Sequence, residues 1–294
     1  MSSKPADIRT ERPQLDLFRS IPGDFAVRDA QDLMTWPFFS LAKRKRIAPI
    51  DFRMGETWIS VEAVAEHGMA TIWDADVLVW AASQIVEARD AGRPSSRLMM
   101  TTPHEILTFT GRGTGRDHYD RLKAALDRLQ STTVATSIRQ QHQRRRHRFS
   151  WINEWRELAD GKGRALGIEL ILPDWFYAGV ADRALVLTID RAYFRLTGGL
   201  ERWLYRIVRK HGGHQPGGWS FDIAHLYLKS GALSPLKQFA FEIRAIVRRQ
   251  ALPGYILTLE YALGRERLNF VAAPVDPLDR AMRRLKLKPV DKRP

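Results

Sequence analysis

Glycines at 111, 113 and 115 constrain this chain most, because three in five residues cannot sit inside a helix without a heavy conformational cost and so mark a turn. Before them, Thr102-Pro103-His104-Glu105-Ile106-Leu107-Thr108-Phe109 supplies a capping threonine, a proline where a helix accepts one, and three apolar residues, the makings of a short helix. After them, over 117–130, Tyr119, Leu122, Ala125, Leu126 and Leu129 recur at three- and four-residue steps, leaving Asp117, Arg121, Lys123 and Arg128 on other faces, which predicts an amphipathic helix. Helix, glycine turn and helix read as a helix-turn-helix. The pattern then changes to strands: 131–139 is dense in Thr and Val, and 148–155 alternates with Phe149 and Trp151 on one side. The tip between them, 140–147, holds Arg144, Arg145 and Arg146 among His and Gln, with nothing apolar to bury. Alone it reads as a solvated loop. Beside a cationic helix-turn-helix it reads as a wing, and the pair is the electrostatic footprint of a duplex DNA binder.

The whole chain agrees. Its formal net charge of +14 over 294 residues concentrates phosphate polymers at the surface and speeds encounter with them. No apolar run approaches the roughly 20 residues of a spanning helix and no secretory signal opens the sequence, so a cytoplasmic protein without membrane contact is expected. The absence of cysteine removes disulfides and thiolate metal sites.

Residues 1–33 are polar, with Pro5, Pro13 and Pro22, and are expected as an extended arm. Short strands follow at 36–41, 47–52 and 56–61; the run Lys43-Arg44-Lys45-Arg46 between them suits phosphate contact or a solvated turn equally well. An amphipathic helix is predicted over 74–91, with Asp74 as its cap and Trp80 on its buried side. Glycines and mixed charges at 158–164 read as a joint between domains.

The second half then repeats the first. Strands are expected at 167–172 and 184–188, and helices at 199–211, 222–228 and 234–249, with Trp203 in the part of Trp80. Leu236, Phe239, Ile243 and Ile246 match the spacing of Tyr119, Leu122, Leu126 and Leu129, each pair offset by 117 residues. A short helix and a glycine precede each copy. A second hairpin, 255–261 and 267–271 with Gly264, Arg265 and Glu266 at its tip, follows the later one. The expected fold is therefore α+β: two tandem winged helix-turn-helix domains related by an internal duplication, at 34–160 and 161–273, with a basic tail at 274–294. Phe241 lies off the apolar stripe of its helix, as if one face there meets another protein surface or the first domain.

Residues near the start of a recognition helix enter the major groove, which selects Arg116, His118, Arg121, Ser234, Lys237 and Gln238 as base readers. Arg112, Thr114, Lys123, Arg244 and Arg265 flank them, and Arg139, Arg144, Arg145, Arg146 and Arg148 of the first wing are assigned to phosphate or a narrow minor groove. No catalytic constellation stands out. Gly111 to Arg116 lacks the Lys-Ser/Thr pair of a phosphate-binding loop, His211 and His214 have no companion ligands for a metal, and Tyr193, Tyr205 and Tyr227 sit in core or helix-face patterns rather than beside a metal-binding histidine pair. A non-enzyme without cofactor or metal is expected.

Four strings carry a family resemblance: Thr71-Ile72-Trp73-Asp74-Ala75-Asp76, Phe149-Ser150-Trp151-Ile152-Asn153-Glu154-Trp155, Leu196-Thr197-Gly198-Gly199-Leu200-Glu201-Arg202-Trp203-Leu204-Tyr205 and Arg209-Lys210-His211-Gly212-Gly213. With them the chain, from about Leu15 to Val271, resembles the replication initiator protein A family of bacterial plasmids. The resemblance implies two winged helices that bind repeated sequences at an origin, help open the duplex, and recruit the host replication initiator and helicase. It also implies a monomer–dimer equilibrium in which dimers bind an operator and repress the protein's own gene. A transcriptional repressor without an initiation role needs the same groove contacts and is the alternative.

Overall fold

The computed structural model describes residues 15–139, 148–162, 165–213, 215, 217–262 and 264–274. The first elements are strands β1 (Leu17–Arg19) and β2 (Arg28–Ala30), helix α1 (Gln31–Thr35) and the hairpin β3 (Ile50–Met54) and β4 (Thr57–Glu62). Helix α2 (Ala75–Asp90), strand β5 (Leu98–Thr101) and helices α3 (Pro103–Phe109) and α4 (Arg116–Ser131) follow. Four strands come next: β6 (Thr133–Thr136), β7 (Arg148–Ser150), β8 (Glu154–Ala159) and β9 (Ala165–Ile171). Helix α5 (Asp174–Ala181) and strand β10 (Val186–Thr188) lead to α6 (Gly199–Gly212), β11 (Trp219–Asp222), α7 (Ile223–Ser230), α8 (Leu236–Arg249), β12 (Tyr255–Ala262) and β13 (Arg265–Ala272).

Thirteen of the sixteen residues of α2 are buried, so it is a central helix rather than the amphipathic one its sequence suggests. Its polar residues serve the chain's N-terminal segment: Ser83 Oγ accepts from Arg28 N at 2.8 Å, and Gln84 exchanges hydrogen bonds with Ile21 N and O. Asp74 does not cap α2, lying in helical conformation without a cap bond; its carboxylate takes Thr71 N and the Arg128 guanidinium. Leaving aside β6 and β7, which intervene after α4 and join another sheet, the order α2, β5, α3, α4, β8, β9 is winged-helix-like, with β9 pairing antiparallel to both β5 and β8. The α3 start is the one the sequence specifies, a reciprocal capping box of Thr102 and Glu105.

The same order recurs from α6 through β13, with β13 between β11 and β12 and Trp203 buried in α6 as Trp80 is in α2. Leu122, Leu126 and Leu129 of α4 and Phe239, Ile243 and Ile246 of α8 face the core. The helix starts, Arg116 and Leu236, are offset by 120 residues rather than the 117 of the buried stripes, so α4 extends nearly one turn further toward its N-terminus.

Three expectations are corrected. Residues 15–33 are not an arm: β1 lies parallel to β5, β2 pairs with β10, and Phe18, Val27 and Leu33 are buried. Residues 158–164 are not a joint, because β8 and β9 pair from Glu154↔Ile171 to Ala159↔Ala165, so a boundary at 160 falls inside the hairpin that serves as the first wing. The strands around 140–147 belong elsewhere, to a separate sheet in the order β3-β4-β6-β7. The reason lies in Trp151 and Ile152, both fully buried. Two adjacent inward side chains end the alternation, so the run predicted as one strand over 148–155 divides into β7 and β8. The tip with Arg144, Arg145 and Arg146 lies outside the described residues.

The halves are joined by charge as well as strands. Asp76 of α2 and Arg202 of α6 meet at 2.7 Å, each side chain 2% exposed, and Asp29 of β2 meets Arg206 of α6 at 2.8 Å, also buried. Burial lifts the Asp29 carboxyl to about 6 against the pull of Arg206. Buried pairs like these tolerate little displacement, since separating them strands a charge in a poorly solvating interior.

Candidate nucleic-acid interface

The turn before α4 keeps its backbone open. Gly111 has φ +66°, and Gly115 caps α4 with no side chain to bond its amides, while His118 N donates to Gly115 O at 2.9 Å. Thr114, Arg116 and Arg121 are exposed there. His118 is half-buried and packs against Gly113, where an added Cβ would come within 2.7 Å of Nε2.

Not every cation of this region is available. Arg112 donates to Asp76 at 2.7 Å and to Trp73 O at 2.9 Å, Lys123 pairs with Glu157 of β8 at 2.7 Å, and Arg128 holds Asp74. Of the arginines and lysines of α4, Arg116 and Arg121 have no ion pair among the described residues, whereas Lys123 and Arg128 do. Arg139 is placed otherwise than expected. Its guanidinium stacks over Trp175 at 3.9 Å, pairs with Asp32 at 2.8 Å, and fills the space a side chain at Gly179 would need. It is a brace, not a phosphate contact. Arg148 is exposed but pairs with Glu62.

On α8, Lys237 is exposed and unpaired among the described residues and Gln238 donates to Glu242 at 3.0 Å, while Ser234 is half-buried and lies before the helix, ahead of its cap Pro235. Arg244 makes a bidentate pair with Glu266 of β13 at 2.8 and 2.7 Å, fixing the helix to its wing much as Lys123 does for α4. Arg265 at the tip reaches Asp222 at 3.2 Å. In the run at 43–46, Arg46 is buried and donates to Ala48 O, Pro49 O and Gly231 O, Lys45 donates to Glu66 O, Lys43 lies over Trp73, and Arg44 is exposed.

Two exposed cations beside these elements were not among the residues the sequence selected. Lys162 is exposed in the turn of the β8–β9 hairpin, where its N–H donates to Asp160 Oδ1, and Arg248 is exposed on α8. The signal for Lys162 was present, since Asp160-Gly161-Lys162-Gly163 is a hairpin-turn composition. Among the described residues no group of three or more His, Asp or Glu is placed to hold a metal, and no helix is long and apolar enough to cross a membrane.

A family model described as replication initiator protein A matches residues 28–257. The chain belongs to that family. The match takes in both helix-turn-helix units and reaches the start of β12. A protein of Wigglesworthia glossinidia brevipalpis described as a replication protein is 31% identical over 244 residues, covering 81% of this chain and 86% of its own. Among solved structures, selenomethionine domains 2 and 3 of RctB superpose with a TM-score of 0.58 at 12% identity, over 81% of this chain and 95% of that one. A second structure of RctB domains 2–3 gives 0.54 at 13% identity, over 86% and 100%. At such identities the likeness concerns fold, and it extends across both halves.

Proposed function

We propose that this family member is a plasmid replication initiator that binds repeated duplex sequences at an origin through two winged helices. The observation that carries the reading is the recurrence of one helix-turn-helix and hairpin unit, each with unpaired cations on its recognition helix, in a chain of the initiator family. In this reading the two units arose by internal duplication. Arg116 and Arg121 of α4 and Lys237 of α8 approach the major groove, and Lys162 and the arginines of 140–147 supply phosphate contacts. Opening of the duplex, recruitment of host replication proteins and repression of the protein's own gene belong to the same proposal, as does action without a catalytic centre, in the cytoplasm.

Replication of a minimal origin plasmid, with and without this gene supplied in trans, tests initiation. Loss of replication only without the gene, at unchanged transcription of neighbouring genes, supports the initiator; altered transcription with replication intact favours a repressor. Supercoiled origin DNA incubated with the pure protein and divalent metal should stay unnicked, and a nick overturns the non-enzyme reading.

A further inference from the structure

The outer face of α8 is unlike that of α4. Lys237, Phe241, Arg244 and Arg248 follow one another at steps of four, three and four residues, a single line along the helix, and all four are exposed. Phe241 is 56% exposed, with Lys237 four residues before it and Arg244 three after it. The groups that usually read bases by hydrogen bonds are committed within the protein, Arg244 to Glu266 and Gln238 to Glu242. At the positions 117 residues earlier, α4 has Ala124 for Phe241 and the unpaired Arg121 for Gln238.

Arg244 is held by Glu266, but Lys237 has no partner among the described residues, and an apolar protein groove over Phe241 would desolvate that charge without compensation. The ring is well suited to the major groove, where a flanking phosphate takes Lys237 and where thymine alone presents a methyl group that a phenylalanine can contact. We infer that α8 reads thymine through its 5-methyl group with Phe241, so that the two helices differ in chemistry: hydrogen bonding by Arg121 in α4, apolar contact in α8. The inference rests on the origin-binding reading above.

The test uses full-length protein and a duplex selected by it from a random-sequence pool, with each thymine of that duplex replaced in turn by deoxyuridine. Uracil keeps base pairing and the O4 acceptor and loses only the methyl. Burial of one such group corresponds to roughly a fourfold change in affinity, so at one or two positions wild-type protein should bind the uracil duplex about fourfold more weakly. Phe241→Ala, at a surface position, should keep the wild-type melting temperature, lose about the same factor on the thymine duplex, and become indifferent to uracil; Phe241→Leu should keep part of the discrimination. Uracil that is neutral everywhere, or a Phe241→Ala loss equal on both duplexes, overturns methyl reading and leaves DNA binding standing. Unchanged DNA binding by Phe241→Ala overturns it too and assigns the ring to a protein contact. Enrichment of no duplex at all overturns both readings together.

Discussion

Replacing Asp76 by Ala removes the carboxylate shared by Arg202 at 2.7 Å and Arg112 at 2.7 Å. The two arginines are left in different positions. Arg112 is 30% exposed and turns to water, where such pairs are worth at most about 1 kcal/mol. Arg202 is 2% exposed and cannot; it keeps Leu196 O and Phe194 O as acceptors but sits beside the buried Arg206 with only Asp29 to balance the two charges. Leaving a buried charge uncompensated costs about 3–5 kcal/mol, a large part of the roughly 5–15 kcal/mol by which folded domains are stable. Urea denaturation of Asp76→Ala, Arg202→Met, Arg112→Met and the two double variants gives the coupling energies. We expect about 2–3 kcal/mol between Asp76 and Arg202 and under about 1 kcal/mol between Asp76 and Arg112. A loss below about 1 kcal/mol for Asp76→Ala, or equal couplings to the two arginines, refutes the argument that burial of Arg202 sets the cost.

Arg121→Ala should weaken specific duplex binding by about 1–3 kcal/mol at one base position with an unchanged melting temperature, whereas Arg139→Ala, which removes the Asp32 pair and the Trp175 stack, should lower the melting temperature and leave the salt dependence of binding alone; binding assays across salt concentration and thermal melts separate the two. Burial and the nearby cations Lys229 and Lys210 depress His211 to about 4, below the roughly 6.5 of an unfolded histidine, so its contribution is present above pH 6.5 and is lost as pH falls toward 4. His211→Phe should flatten the fall in melting temperature over that window, and an unaltered pH profile counts against the assignment. A Cβ at Gly199 would lie 2.0 Å from Leu41 O, so Gly199→Ala should destabilise by about 1–3 kcal/mol, read as a lower urea midpoint.

What the sequence made legible was local. Periodicity placed α4 at 117–130 where the structure has Arg116–Ser131, and α8 at 234–249 where it has Leu236–Arg249, because core-facing stripes and the glycine turn act within a few residues. The second hairpin was legible for the same reason. The first wing was not, since two hairpins follow α4 and only pairing with β5, some 70 residues from β9, decides which one completes the winged sheet. Cations were harder still. Arg46, Arg112 and Arg139 look like DNA contacts in a basic chain, but their acceptors are Gly231 O, Asp76 and Asp32, distant in sequence, and burial by a remote partner leaves no trace in the run around the arginine.

The strand pair β2–β10 and the buried Asp76–Arg202 and Asp29–Arg206 contacts tie the half that carries α4 to the half that carries α8, so that under the proposed origin-binding reading the protein would act as a caliper. A duplex gripped by both helices would be measured for length and helical phase as well as for sequence. One inserted base pair moves the far half-site by roughly 3.4 Å along the axis and turns it by about 35°. A rigid reader cannot follow that displacement, and a site lengthened by half a turn presents its second half to the wrong side. Spacing within each proposed repeat would then be under the same selection as its letters, and a drift in one would have to be answered at the α2–α6 joint rather than on α4 or α8.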